Sequence, residues 1–226
     1  MELIDGTSCG EWLLGLAREL LGGARDAADL ARGVAGLAAA AEEQVERGGA
    51  VETACRVGCP HCCVLNVAVL LPEAAAIATS LAGSLTVDEL ADLAGRLDRQ
   101  RLRVRWMEDG ERVRRQIGCP FLDTAGSCAI YPFRPLMCRG VTSLDGELCR
   151  EALDPTELDV PRSVPMNMVR KAVMDEAFRV LARAAEERGM ETRGIELSTG
   201  VGAFLARPEL CGLLLAGERL PPELWE

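Results

Sequence analysis

Residues 55–63 read CRVGCPHCC and place four thiols within nine positions. A second group of four thiols follows at longer intervals, between residues 119 and 149. The eight residues are Cys55, Cys59, Cys62, Cys63, Cys119, Cys128, Cys138 and Cys149. Thiolates gathered in this way are the ligands that a soft metal ion or an iron–sulfur cluster requires. The pattern predicts a metal-binding protein, and we expect Cys9 and Cys211, which lie outside both groups, to be ordinary buried thiols.

The spacing inside the first group favours more than one metal ion. Two cysteines separated by two residues, such as Cys59 and Cys62, can curl around a single ion. The adjacent pair Cys62 and Cys63 is harder to place on one ion, because neighbouring side chains diverge. The gaps in the second group are too long for a simple zinc ribbon, so its loops must fold back onto the first group. Eight thiolates suit two tetrahedral Zn²⁺ ions, two iron–sulfur clusters, or one cluster beside some free thiols.

Several other residues of the two cysteine groups are candidates for the site. We expect Arg56, Arg134 and Arg139 to act as cofactor-binding residues that offset thiolate charge and donate hydrogen bonds to sulfur. His61, the only histidine, is a candidate ligand, proton donor or loop residue. We expect Asp123 to form a turn, and Asp145 likewise.

The composition narrows the classes of partner and location. The net charge of −10 argues against nucleic acid as a partner, because phosphate binding needs a basic surface. The arginine-rich segment 96–115 is interpreted as a solvated helix face paired with acids elsewhere. No early apolar stretch is long enough to span a membrane, and the first residues carry acids where a signal peptide carries Lys or Arg. We therefore expect a cytoplasmic protein whose reduced cysteines bind metal, with a redox or protein partner that the sequence does not identify.

The remaining pattern predicts a mainly α fold, a helical scaffold around an irregular, cysteine-rich metal-binding centre. Aliphatic residues are abundant, aromatic residues make up only 4%, and helical periodicity recurs on both sides of the cysteines. We expect one domain over residues 1–226. Its predicted parts are N-terminal helices at 1–50, a metal-binding core at 52–150 and C-terminal helices at 161–226.

Local signals mark the ends of several helices. Pro72 suits a first helical turn, and Thr86 with Glu89 has capping-box spacing for a helix that reaches toward Gln116, with Asp109-Gly110 as a possible break. Residues 64–71 fit a strand or a helix. Residues 117–161 are irregular, and we expect metal coordination to order them.

The two cysteine blocks resemble the YkgJ-type cysteine cluster family, also called the CxxCxxCC or zinc- or iron-chelating domain family. The first block is similar through Cys55-x2-Gly-Cys59-x2-Cys62-Cys63 and the following Glu73-Ala74. The second is similar through Cys119-Pro-Phe-Leu-Asp, Gly126-x-Cys128, Arg134-Pro135 and Cys138-Arg139. The likeness covers roughly residues 52–150. One departure is the three-residue gap between Cys55 and Cys59, where the family name implies two.

The resemblance implies metal chelation or an iron–sulfur oxidoreductase, and flagellin lysine N-methylases resemble the same domain. Three functions therefore stay open. The first is an iron–sulfur protein for electron transfer or an oxidoreductase role. The second is a structural zinc-binding module without catalysis, and the third is a protein-modifying methyltransferase. For the third we find no glycine-rich cofactor turn, and Gly200-Val-Gly202 is interpreted as a helix-packing feature.

Overall fold

A computed structural model describes residues 8–49, 51–156 and 162–225, and most of these residues are helical, which confirms the mainly α prediction. The α-helices are α1 (Cys9–Gly22), α2 (Ala27–Arg47), α3 (Leu71–Ser84), α4 (Val87–Val104), α5 (Asp109–Arg114), α6 (Leu136–Gly140), α7 (Gly146–Ala152), α8 (Met168–Glu187), α9 (Leu197–Ala206) and α10 (Leu210–Leu215). The main core is aliphatic. It forms where α1, α2 and α8 pack together and α3 packs between α2 and α9.

The predicted helix boundaries agree with local capping. The Thr86 N–H donates to Glu89 Oε2 at 2.8 Å and the Glu89 N–H donates to Thr86 Oγ1 at 3.3 Å, which is the predicted capping box at the start of α4. Pro72 lies in the first turn of α3, as predicted. Helices α1 and α2 lie in the described part of residues 1–50, and α8, α9 and α10 lie in the described part of residues 161–226.

The helix expected to reach Gln116 is interrupted earlier than the sequence suggests. Helix α4 ends at Val104 and α5 begins at Asp109, so the break precedes the Asp109-Gly110 pair. In a continuous helix Val104 and Val113, nine residues apart, would point to opposite faces. Because both side chains are buried, the chain must break between them and turn back toward the core.

Residues 64–71, for which the sequence fits a strand or a helix, contain a short strand. Strand β1 (Ala68–Leu70) pairs antiparallel with β2 (Gly194–Glu196), so that Val69 lies opposite Ile195. The segment that follows the first cysteine block is therefore extended and attached to a segment more than one hundred residues away. Among the described residues, no helix combines the length and apolar character needed to cross a membrane.

Residues 117–156 are largely irregular, as predicted, but they contain α6, α7 and a single 3-10 turn at Tyr131–Phe133. The last part of the predicted segment, residues 157–161, lies outside the described residues. Helices α6 and α7 have five and seven residues, which is too short for independent stability in water. The helical conformation of α6 and α7 therefore depends on contacts with the surrounding parts of the protein.

Gly200 confirms the interpretation of Gly200-Val-Gly202 as a packing feature. A Cβ at Gly200 would lie 2.8 Å from Ile195 Cγ2 and 3.0 Å from Ala74 Cβ, so α9 sits too close to α3 and β2 for a side chain. Gly15 differs, because a Cβ there would meet no atom within 4 Å.

We predict that Gly200→Ala lowers the free energy of unfolding by about 1–3 kcal/mol through overpacking. Gly15→Ala, in an exposed position of α1, should raise it by about 0.5–1 kcal/mol, because alanine restricts the unfolded chain. Urea denaturation followed by circular dichroism measures both. Equal stability of the two variants would contradict the close approach of α9 to α3.

Candidate metal centre

Backbone hydrogen bonds join the two cysteine blocks. The Cys119 N–H donates to the Cys63 carbonyl oxygen at 2.8 Å, which ties the start of the second block to the end of the first. The Ala54 N–H donates to the Ser143 carbonyl oxygen at 2.9 Å, which brings Cys55 beside the segment between α6 and α7. The folding back predicted from the long gaps is therefore made by main-chain contacts.

The blocks enclose one cavity of about 520 Å³. Seven of the eight cysteines line it, and the lining cysteines are Cys55, Cys59, Cys62, Cys63, Cys119, Cys128 and Cys138. Cys149, on α7, lies near enough for the charges of Cys62, Cys55 and Cys59 to raise its pKa. All eight cysteines thus belong to one region, while Cys9 and Cys211 are buried in the aliphatic core.

A tight turn shapes the first block and accommodates its longer gap. Gly58 has φ +85°, and the Cys59 N–H donates to the Arg56 carbonyl oxygen at 3.1 Å, so the additional residue is absorbed in a turn that suits glycine. A 3-10 turn, His61–Val64, follows and carries the adjacent pair Cys62 and Cys63. His61 itself is not among the residues described as lining the cavity.

Two aspartates organise the second block, as predicted. Asp123 Oδ1 accepts from the Ala125 and Ser127 N–H groups, each at 2.8 Å, in the turn that precedes Cys128. Asp145 Oδ1 accepts from two N–H groups at the start of α7, the helix that carries Cys149. The turn at Asp123 orients the segment that carries Cys128, and the cap at Asp145 orients the helix that carries Cys149.

Glu73 connects the helical scaffold to the helix that carries Cys138. Its carboxylate is 1% exposed. One oxygen accepts from the Leu70 N–H at 3.1 Å, and the other accepts from the Leu136 N–H at 2.9 Å. These N–H groups lie at the starts of α3 and α6, so a single side chain holds both helix ends. Burial raises the pKa of Glu73 to about 7, although the two backbone donors oppose this effect.

Backbone N–H groups favour the thiolate form of three cysteines. The Ser143 N–H donates to Cys55 Sγ at 3.3 Å. The backbone of Phe121 opposes the rise in the pKa of Cys119 that burial causes, and the backbone of Ile130 does the same for Cys128. Hydrogen bonds to sulfur stabilise the thiolate form that a metal requires.

Several of the buried thiols are nonetheless costly to ionise without additional positive charge. Burial raises the pKa of Cys119 to about 11 and that of Cys149 to about 11, and it raises the pKa of Cys138 as well. Cys62 differs from these three, because a hydrogen bond from the Cys63 thiol lowers the pKa of Cys62 to about 7 and raises that of Cys63. A bound metal would supply the positive charge that these buried thiolates lack.

The three arginines selected from the sequence all line the cavity, with different surroundings. The Arg134 guanidinium lies over the Tyr131 ring, 4.0 Å from its centroid. Burial raises the pKa of Cys128 and Cys138, and the charge of Arg134 opposes this rise in both. Arg139 instead donates to the carbonyl oxygens of Pro132 at 2.7 Å and Arg134 at 2.8 Å, so it holds the loop that precedes Cys138. Arg56 is exposed at the rim.

The sequence interpretation missed a buried ion pair in the cavity wall. Arg112 was assigned to a solvated helix face, and this assignment is wrong because its side chain is 5% exposed. Its Nη1 lies 3.1 Å from Glu196 Oε1, and both residues line the cavity. The only local signal was that Arg112 precedes the apolar Val113, and its partner comes from β2, 84 positions away. A second missed pair, Arg170 and Glu42, lies 2.6 Å apart in the same wall.

The chemistry of the cavity fits a metal group, although the thiols are not arranged around one point. Among the described residues, no three His, Cys, Asp or Glu side chains already form the ligand set of a single ion. Three buried polar atoms of lining residues, Arg112 Nε, Arg134 Nε and Thr142 Oγ1, have no hydrogen-bond partner. The two guanidinium N–H groups need acceptors, and metal-bound thiolate or sulfide would provide them.

Residues 54–154 match the model of the CxxCxxCC family, which is described as a "putative zinc- or iron-chelating domain". The match confirms the family resemblance of the two cysteine blocks and supports metal binding by them. It fits either of the predicted cofactors, Zn²⁺ or iron in an iron–sulfur cluster, without choosing between them. No curated protein and no solved structure matches the chain.

We predict that Glu73→Gln lowers the free energy of unfolding by about 1–3 kcal/mol, because an amide nitrogen cannot accept and one buried N–H loses its partner. The matched control is Glu89→Gln in the exposed capping box of α4, which should cost about 0.5 kcal/mol or less. Urea denaturation of both variants at one pH measures the difference. Similar losses in the two variants would show that the Glu73 contact contributes no more than an exposed cap.

A pH dependence follows from the same group. Since the folded protein binds the Glu73 proton more tightly than the unfolded chain, stability should fall as pH rises from about 4.5 to about 7. The full loss should be up to about 3 kcal/mol. Glu73→Gln should remove this contribution, so the stability difference between wild type and variant should shrink across that interval. A constant difference would contradict the raised pKa.

Proposed function

We propose that residues 54–154 act as a CxxCxxCC metal-chelating domain. In this proposal the cysteine cavity holds one or two iron–sulfur clusters, and the protein transfers electrons. The proposed ligands are the eight cysteines of the two blocks. Arg134, Arg139 and Arg56 are proposed to surround them. The observation that carries the proposal is the combination of seven lining cysteines with a cavity volume of about 520 Å³.

The volume argues for a polynuclear group. A structural zinc site places four sulfurs about 2.3 Å from one ion and leaves no free space between them. A cluster contains several iron and sulfide ions, so its cysteines stand further apart around a larger centre. The distribution of seven cysteines around one cavity favours the larger group.

The arginine donors support the same choice. Arg134 Nε and Arg112 Nε are buried without acceptors, and both residues line the cavity. Inorganic sulfide adds acceptors beyond those of the cysteines. Arg112 is kept in place by its ion pair with Glu196, and Arg134 is kept in place by the Tyr131 ring.

When bound, a cluster supplies one-electron redox chemistry. The residues of the chain hold it, limit its contact with water and set its charge environment. Buried arginines favour the reduced form, because reduction adds negative charge to the centre. Cys55 is exposed, which makes its side of the cavity the proposed side of contact with a redox partner.

A structural zinc module is the second candidate. It is favoured by the shortness of α6 and α7, which suggests that coordination orders this part of the chain whatever the metal is. Anaerobic purification followed by measurement of iron, acid-labile sulfide and zinc separates the two. Iron and sulfide in near-equal amounts, with a brown colour bleached by dithionite, are expected. About two zinc ions per chain without sulfide would overturn the redox proposal.

Replacement of single cysteines tests the ligand set. Cys62→Ser and Cys63→Ser should each lower the bound metal and increase hydrogen exchange in residues 117–156, because that segment depends on coordination. Cys9→Ser and Cys211→Ser are matched controls outside the cavity and should keep the wild-type metal content. Full metal content in either cavity variant would remove that cysteine from the ligands.

Arg134→Gln tests the electrostatic role of the arginines. Loss of a buried positive charge beside the centre should lower its midpoint potential, as measured by redox titration. Arg56→Gln is the control, because its exposed guanidinium is screened by water and should change the potential much less. An unchanged potential in Arg134→Gln would contradict the proposed role, even if the metal stays bound.

A further inference from the structure

The exposed face of the second half of α4 carries unusual side chains for a solvated surface. Trp106 is 85% exposed and Leu102 is 58% exposed. Four exposed arginines surround them. We call the six residues the arginine surface: Arg96, Arg99, Leu102, Arg103, Arg105 and Trp106.

The arginines of this surface have no acidic partner among the residues that the structure describes. Neighbouring arginines form ion pairs, Arg101 with Asp98 and Arg115 with Glu111. Arg96, Arg99, Arg103 and Arg105 form no ion pair with an acid in the described parts of the chain, contrary to the expected pairing of the basic run. This is notable in a chain with 35 acidic and 25 basic residues, where acids are abundant.

Helical geometry places these residues together. Arg99 and Arg103 are four residues apart on α4 and share one face with Leu102. Trp106 follows two residues after the end of the helix. The opposite face is buried through Leu93 and Leu97, which keeps the helix in a fixed orientation. At the end of the helix the Arg105 guanidinium lies 4.8 Å from the centroid of the Trp106 ring, which makes the cation and the indole one unit.

A concave basic site lies at the same end of α4. A second cavity of about 310 Å³ is lined by Arg101 and Arg105, and by Arg193 and Trp225 from the C-terminal part of the chain. Arg112 and Glu196 line this cavity and the cysteine cavity, so the ion pair forms the wall between them. Acids also line it, so it is suited to single carboxylate groups rather than to a continuous run of negative charge.

We infer that the arginine surface is a docking site for an acidic segment of a partner protein. Arginine and tryptophan are the residue types that contribute most energy at protein interfaces, and an excess of unpaired cations selects a partner of opposite charge. A bilayer or duplex fits less well, because both are extended polyanions that the acidic remainder of the chain repels. Leu102 and Trp106 also offer little apolar area for lipid. A flexible acidic segment can instead cover Trp106 and place a carboxylate in the adjoining cavity.

The inference does not depend on which metal the cysteines bind. The test uses the purified full chain with its metal and a short fluorescein-labelled peptide of Glu and Ser with two Leu residues. A peptide with Gln in place of every Glu is the control probe. Fluorescence anisotropy should show binding of the acidic peptide that weakens about tenfold from low to high salt, and little binding of the uncharged peptide.

Variants locate the binding site. Arg99→Glu combined with Arg103→Glu should weaken binding of the acidic peptide at least about tenfold, and Trp106→Ala about tenfold. The matched control is Arg25→Glu combined with Arg219→Glu, which changes net charge equally at other exposed positions and should bind nearly as wild type. Since all of these side chains are exposed, unchanged thermal unfolding is expected for every variant.

Three results would overturn the inference. The first is no binding of the acidic peptide by wild type. The second is equal loss of binding in the two double variants, which would mean non-specific attraction. The third is tighter, Arg99- and Arg103-dependent binding to phosphatidylserine vesicles, to duplex DNA or to a second copy in sedimentation velocity, which would assign the surface to that occupant instead. Metal content measured in the same samples tests the proposed function separately.

Discussion

The buried carboxylate of Glu73 is the contact on which the geometry of the cysteine cavity depends. Its two oxygens accept from the first N–H groups of α3 and α6, which joins the aliphatic scaffold to the segment that delivers Cys138. Burying a carboxylate is unfavourable, and its raised pKa is the sign of that cost. The cost is offset because two helix starts would otherwise leave buried donors without acceptors.

The rest of the site is arranged by main-chain contacts and by charge. The Cys119 to Cys63 and Ala54 to Ser143 hydrogen bonds close the two blocks on each other. Eight thiolates in one region would repel strongly, and the arginines of the wall oppose that repulsion only in part. The raised pKa values of Cys119 and Cys149 show that positive charge is still needed. A multivalent metal group would provide it, and ordering of α6 and α7 would follow from its binding.

The arginines discussed above lie in two different environments. Arg112 and Arg134 are held inside, by Glu196 and by the Tyr131 ring, and act on the cysteine cavity. The arginine surface faces outward beside Trp106. Arg112, Glu196 and Asn66 line both the cysteine cavity and the second cavity, so these residues separate the two.

The sequence by itself determined the mainly α class, the capped start of α4, the turn at Asp123 and the resemblance of the two cysteine blocks to the CxxCxxCC family, because these features depend on local spacing and residue type. Only the tertiary structure decided that residues 68–70 pair with β2, that α4 breaks before Asp109, that Arg112 is buried against Glu196 and that Glu73 holds two helix starts. Each of these features depends on a contact with a residue distant in sequence, or on a change in which side of the chain is buried. The exposure of Trp106 belongs to the same group, since a single apolar residue between two helices shows no local sign of the side on which the core will form.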